Sequence, residues 1–197
     1  MALRIGFLGP IGTYTEEAAL LYKPQAELQP FPSIPAVGSA VSSGITERGV
    51  VPIENSLEGS VTFTLDLLIS QPGLSILNEI VVPIEHYLYA MPGTNPSDVK
   101  VIYSHPQALA QCKEYLERCF PSAQQMASLS TVEAVADMRQ SNVPAASISP
   151  RRAGELNQDV VIIGRDVQDN VNNVTRFVVL ASQDHKPTGS DKPSICF

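Results

Sequence analysis

The chain has no tryptophan, three cysteines in 197 residues and a charged fraction of 17%. That fraction is below the roughly 25% usual for soluble domains. Hydrophobic residues, at 44%, are in the ordinary range, which excludes a disordered or collagen-like chain. Basic residues are also scarce: 13 Lys and Arg against 20 Asp and Glu leave a net charge of -7. No basic stretch is interleaved with aromatics, so general nucleic-acid binding is excluded. Long apolar runs are missing as well. Nothing approaches the roughly 18 residues of a membrane span, and the short run after Arg4 cannot form the core of an export signal. The expectation is a compact cytoplasmic protein with no membrane partner. Cys112 and Cys119 sit about 10 Å apart along an expected helix, too far for a disulfide. With Cys196 near the end of the sequence, all three cysteines read as thiols, buried rather than reactive.

What is present is an alternation of strand-like and helix-like segments. Residues 4–8 form a short apolar run ended by Gly9-Pro10, and a helical pattern follows over 16–21. An Ala/Val pattern runs from Ser33 to Val41, residues 49–53 read as a buried strand, and Val61, Leu65 and Leu68 mark a helical face that stops at Pro72-Gly73. This order predicts a parallel sheet. Residues 74–91 are apolar for longer than one strand requires and contain Pro83, as a chain crossing between two domains would. The pattern then restarts, with strands at 99–103, 145–148, 160–163 and 176–180, helices at 105–119 and 132–138, and a short helix from Arg151. The polar stretch 183–194 reads as tail or linker.

The chemistry lies just after the strands. Thr13 with Glu16, Asn55 with Glu58, Ser104 with Gln107 and Ser130 with Glu133 share the spacing of a helix capping box, and Ser149 before Pro150 marks a fifth helix start. In an open α/β sheet such helix N-termini gather at the carboxyl ends of the strands. There they present free N–H groups and partial positive charge, which suits a carboxylate ligand in an otherwise acidic protein. Caps of this kind also occur simply to finish helices. His86, His105 and His185 have no metal-ligand spacing with the cysteines, so no metal site is expected. A nucleophile elbow, a Walker loop and a dinucleotide fingerprint are all missing. Residues 9–12 resemble a phosphate loop only weakly and lack its lysine.

Five segments taken together carry a resemblance: GFLGPIGTYTEEAA (6–19), VPIENSLEGSV (51–61), YSHPQALAQC (103–112), the Ser-Thr-x-Glu-Ala-Val run from Ser130, and NNVTRF (172–177). In order and spacing the chain resembles the prephenate dehydratase family. The terminal DKPSICF resembles the approach to the regulatory ACT domain, so the expectation is a catalytic unit without that domain. The resemblance implies an α/β fold of two similar lobes with a central cleft, like the type 2 periplasmic binding proteins. Lobe 1 would take residues 1–80 plus 170–183, lobe 2 residues 81–169, and a tail residues 184–197. It also implies decarboxylating dehydration of prephenate to phenylpyruvate, no cofactor, a small-molecule substrate and a homodimer. Arogenate dehydratase, or a non-catalytic anion-binding or sensor domain, are the alternatives.

The resemblance ties Thr175 to activity, with a hydrogen bond or relayed proton to the leaving hydroxyl as its role, because an alcohol is too weak an acid to do more. Asn55 and Gln107 match polar residues tied to function. Arg176 suits a carboxylate because its fork engages two oxygens and stays charged, the competing role being a surface ion pair. Phe177 either closes around the substrate ring or belongs to the core. Thr13, Ser56, Ser104, Thr131 and Ser149 complete the expected binding set, each with capping as its competing role. Glu54 is expected to orient rather than bind, since it would repel a dianion. His105 reads as a helix-start residue, and His86 has no assigned role.

Overall fold

The computed structural model describes residues 2–183 and Gly189. In chain order the elements are β1 (Arg4–Leu8), α1 (Tyr14–Tyr22), β2 (Glu27–Phe31), α2 (Ile34–Ser42), β3 (Arg48–Asn55), β4 (Gly59–Ser60), α3 (Thr62–Ser70), β5 (Ser75–Pro83), β6 (Tyr87–Ala90), β7 (Val101–Ser104), α4 (Pro106–Gln111), α5 (Lys113–Cys119), β8 (Gln124–Ala127), α6 (Glu133–Arg139), β9 (Ala145–Ser149), α7 (Arg151–Leu156), β10 (Val161–Gly164) and β11 (Val174–Ala181). The expected 183–194 tail, the DKPSICF segment, His185 and Cys196 lie outside the described residues, apart from Gln183 and Gly189. Cys112 is a buried free thiol and Cys119 an exposed one.

The strands form two sheets, ordered β2-β1-β3-β11-β5, with β4 beside β3, and β10-β6-β9-β7-β8. Neither is wholly parallel, which corrects the sequence expectation. β1 runs parallel to β2 and β3, but β11 is antiparallel to β3. In the second sheet β7 is parallel to β8 and β9, whereas β6 is antiparallel to β9 and β10. The cause in the first sheet is the direction of approach. The chain reaches β11 at the end of β3 where Asn55 lies, with Thr175 opposite Asn55, so it must run back along β3. No helical crossover is needed for an antiparallel neighbour.

The chain divides into two compact units. Among the described residues, the first takes 2–10, Thr15–Val82 and 174–183, and the second takes Ile11–Tyr14 and Pro83–Asn173. In the first unit, α2 and α3 lay Ile34, Val37, Val41 and Leu67 against Val51, Val178 and Leu180 of the sheet. Each such buried side chain contributes roughly 1.5–3 kcal/mol relative to exposure. Ser33 caps α2 by accepting from Ala36 N at 3.3 Å, as its sequence position predicts. In the second unit, Leu88, Ile102, Leu109, Leu116 and Ile148 form the matching core. The short loop Ile11–Tyr14 belongs there because Gly12, at φ 93°, brings the backbone against the side chains of Val132 and Leu156.

Three further departures from the sequence reading have local causes. The helix expected over 105–119 breaks at Cys112, because the Asp169 carboxylate accepts from Glu114 N at 2.9 Å and Tyr115 N at 3.0 Å and so caps a new helix, α5. No helix begins at Asn55. Its side chain closes a turn instead, Gly59 adopts φ 84° and the chain folds back as β4, so that α3 starts only at Thr62. The strands β2 and β8 are edge strands: β8 is exposed throughout, and β2 half-buries only Leu28 and Phe31 around a polar residue and a proline, so neither carries a buried apolar run to read.

Candidate functional site

The first group of candidate residues lies where β3 ends and β11 begins. Thr175 pairs with Asn55 and Arg176 with Glu54, after which the register shifts so that Phe177 faces Pro52. Ile53 is thus the extra residue of a bulge in β3, beside a proline that cannot donate to a ladder. Its carbonyl turns to accept from Val61 N at 2.8 Å, and that of Pro52 accepts from Thr64 Oγ1 at 2.5 Å.

Beyond the bulge, Asn55 sets the orientation of its neighbours. Its Oδ1 accepts from Leu57 N at 2.9 Å and Glu58 N at 3.0 Å. Two N–H donors converging on one atom identify that atom as the oxygen, so the amide cannot be turned over. Nδ2 therefore points to β11, donating to Val174 O at 3.2 Å and Thr175 Oγ1 at 2.9 Å. An N–H can only donate, so the threonine oxygen is the acceptor and keeps its own proton available. Among the described residues the Thr175 hydroxyl has no acceptor for that proton. Donation from Asn55 into the oxygen also polarises the O–H and strengthens it as a donor. Asn55 and Thr175 each keep 9% of their surface exposed, so the pair is shielded without being sealed.

Arg176, adjacent in the strand, is exposed on the opposite face. Its guanidinium reaches Glu54 Oε2 at 2.5 Å and Glu79 Oε2 at 2.7 Å, and these bonds, the one to Glu79 first, raise its pKa. The fork thus holds two carboxylates of the protein itself, and Glu54 serves as its partner. Phe177 is buried in the core. Ser56, just past Asn55, is exposed and accepts from Val174 N.

The other candidates belong to the second unit. Ser104 and Ser149, both fully buried, end the strands β7 and β9. They donate to Ile148 O at 2.7 Å and Thr131 O at 2.6 Å respectively. Their hydroxyl protons are committed to the backbone, which leaves them acceptor capacity only. Ser104 does not cap α4. His105 does, accepting from Gln107 N at 3.3 Å through Nδ1. Nor does Ser149 cap α7, whose N-cap is Pro150 with no side-chain bond. Ser130 does bond Glu133 N, at 3.0 Å, as the capping-box spacing predicts. Gln107 stands exposed in the first turn of α4 with no side-chain partner among the described residues. Thr13 and Thr131 are half-buried.

His86, which sequence reasoning left without a role, is buried. Nε2 faces Gln111 Oε1 at 3.0 Å and Nδ1 faces Tyr14 Oη at 3.3 Å, while Tyr14 donates to Glu85 O at 2.5 Å. Burial pushes its pKa down; Nε2 bonds the ring to Gln111 at the end of α4, while the Tyr14 hydroxyl proton goes to Glu85 O. No periodic or motif signal marks it in the sequence. Among the described residues no cluster of His, Cys, Asp or Glu is arranged to hold a metal ion, and no helix is long and apolar enough to cross a membrane.

The chain as a whole is similar to known proteins. The prephenate dehydratase family model matches residues 5–185, and the chain belongs to that family. It is 36% identical over 203 residues to a bifunctional chorismate mutase/prephenate dehydratase of Aquifex aeolicus, covering 99% of this chain and 53% of that protein. It is 35% identical to arogenate dehydratase/prephenate dehydratase 1 of Arabidopsis thaliana, covering 97% of this chain and 48% of that protein. The chain thus spans about half the length of these curated relatives. Among solved structures, the prephenate dehydratase of Arthrobacter aurescens in complex with L-Phe superposes with a TM-score of 0.84 at 32% identity, covering 91% of this chain and 60% of that one. A quorum-quenching acylase superposes with a TM-score of 0.79 at 28% identity, covering 97% of this chain and 67% of that one.

The Asn55 geometry leads to a stability test. Asn55→Ala leaves the Leu57 and Glu58 N–H groups without their acceptor and should cost about 1–3 kcal/mol in urea unfolding. Asn55→Asp keeps both acceptor bonds but loses the donations to Val174 O and Thr175 Oγ1 and sets an oxygen against that carbonyl, so it should also be destabilised by about 1–3 kcal/mol. Equal stability of the alanine variant and the parent would show that the turn does not depend on this amide.

Proposed function

We propose that the chain is the catalytic unit of a prephenate dehydratase, a carbon–oxygen lyase that converts prephenate to phenylpyruvate, carbon dioxide and water. The observation that carries this reading is the Thr175 hydroxyl, oriented by Asn55 so that its proton is free to donate. The chemistry asks for little more than such a donor. Prephenate loses its ring carboxylate as CO₂, and the electron pair of the broken C–C bond enters the ring as the C–O bond to the ring hydroxyl breaks. The departing oxygen takes up one proton and leaves as water, and the ring becomes aromatic. A hydrogen bond that strengthens as negative charge builds on that oxygen lowers the barrier, whereas one of equal strength in substrate and transition state would not. Thr175 supplies that bond, with the proton drawn through it from solvent, because an alcohol does not ionise readily at neutral pH.

Gln107, with an exposed amide that both donates and accepts, suits the keto or hydroxyl oxygens of the substrate. For Arg176 the two protein carboxylates at 2.5 and 2.7 Å favour a structural ion pair over a substrate contact. The same reading takes the enzyme as cytoplasmic and homodimeric. A second substrate has a specific basis: a relative of 35% identity carries both the arogenate and the prephenate dehydratase names. Arogenate replaces the keto group with an amine and leaves the ring chemistry unchanged.

Incubation with prephenate at neutral pH should give phenylpyruvate, read by its absorbance in alkali. Binding without turnover would favour a sensor domain. A kcat/KM for arogenate more than tenfold higher, about 1.4 kcal/mol in transition-state binding, would reassign the substrate. Thr175→Ala should lower kcat by about 10²-fold or more with KM little changed, while Thr175→Ser keeps much of the activity. Full kcat in the alanine variant would remove Thr175 from the reaction.

Arg176→Ala gives a separate prediction. As an exposed ion pair the residue contributes at most about 1 kcal/mol to stability, and KM should stay at the parent value. A KM raised tenfold or more would return Arg176 to the substrate.

A further inference from the structure

The turn that Asn55 closes takes the chain away from β11, so beyond this residue β3 offers no carbonyl to the next N–H of β11. That N–H belongs to Val174, the residue before Thr175. It donates to the Ser56 side chain instead, at 3.0 Å to Oγ, while Ser56 N donates to Val174 O at 2.9 Å. The carbonyl also accepts from Asn55 Nδ2 at 3.2 Å. Both polar backbone groups of Val174 are therefore held by residues 55 and 56, and one of the three bonds depends on a side-chain hydroxyl standing in for a missing strand carbonyl.

We propose that Ser56 is a positioning residue for Thr175: its hydroxyl fixes the Val174 peptide, and so the direction of the Thr175 side chain, without touching substrate. This rests on the dehydratase reading of the site, and it replaces the substrate-binding role that the sequence suggested for Ser56. The bond between Ser56 and Val174 is exposed, so it adds little to global stability. Its effect is local. A rotation of the Val174 peptide moves the Thr175 oxygen relative to the departing group, and a misplacement of about 1 Å can cost on the order of 10²-fold in rate. Asn55 orients the Thr175 hydroxyl proton from the side, and Ser56 orients the backbone that carries it.

Ser56→Ala in the full chain removes the acceptor and leaves the other two bonds. The expected result is a kcat about tenfold lower, equivalent to one hydrogen bond of about 1.4 kcal/mol, with KM unchanged. Ser56→Thr, which keeps a hydroxyl at the same place, restores most of the rate. In the Thr175→Ala background Ser56→Ala adds no further loss, because its effect passes through Thr175. A second readout does not depend on turnover: hydrogen exchange of the Val174 amide speeds up at least tenfold in Ser56→Ala, while the amides of residues 177–180 keep their protection and report an intact sheet. A raised KM with kcat retained, a full additional loss in the Thr175→Ala background, or an unaltered Val174 exchange rate would each overturn the proposal. If the parent protein turns over neither prephenate nor arogenate, the dehydratase reading fails, and the Val174 exchange rate alone still decides whether Ser56 holds that peptide.

Discussion

The direction of one hydrogen bond governs the chemistry available at this site. Asn55 could meet Thr175 with either end of its amide. Turned with the oxygen toward β11, it would take up the threonine proton and leave an inert acceptor. The two backbone N–H groups at residues 57 and 58 exclude that arrangement by binding Oδ1 from the other side. The result is a hydroxyl that receives a bond from a fixed donor and has its own proton free to give. Loop residues after a strand are often described as capping or turning the chain. Here the turn and the orientation of a chemical group are the same set of hydrogen bonds, so the site cannot be loosened without opening the turn.

The fold supplies the rest. β11 enters the first sheet at the end of β3 where Asn55 lies, and the antiparallel ladder sets Thr175 directly opposite Asn55. The bulge at Ile53 and the adjacent proline loosen that ladder and divert two carbonyls toward α3 and its approach. Alternation along β11 then separates the two residues of most obvious chemistry. Thr175 is buried on one face, and Arg176, pointing to the other, is itself exposed and reaches Glu54 and Glu79. Adjacent residues in one motif therefore sit in different surroundings, the first a buried hydroxyl held by Asn55 and the second an exposed guanidinium held by two carboxylates.

Much of this was legible in the sequence. The alternating pattern and the five ordered segments pointed to an α/β chain of the prephenate dehydratase family, and Thr175, Asn55 and Gln107 stood out as candidate residues. Three kinds of feature were not legible. Exposed edge strands such as β8 bury nothing and leave no hydrophobic trace. Capping spacing did not distinguish a helix start from a turn. Asn55 with Glu58 and Ser130 with Glu133 look alike in sequence, but a positive-φ glycine at 59 sends the first back into the sheet. Long-range partners were invisible: Asp169 splits a helix from 55 residues away, and Glu79 occupies an arginine that sequence alone offers to a ligand. In each case the deciding atom lies on a segment that local pattern does not connect to the residue in question.

Neutron diffraction from deuterium-exchanged crystals would test the central claim most directly, because it locates the deuteron on Thr175 Oγ1. The account predicts that this deuteron points away from Asn55, with the two Nδ2 deuterons directed at Thr175 Oγ1 and Val174 O. A Thr175 deuteron directed at the Asn55 side chain, or an Asn55 amide with its nitrogen toward residues 57 and 58, would contradict it.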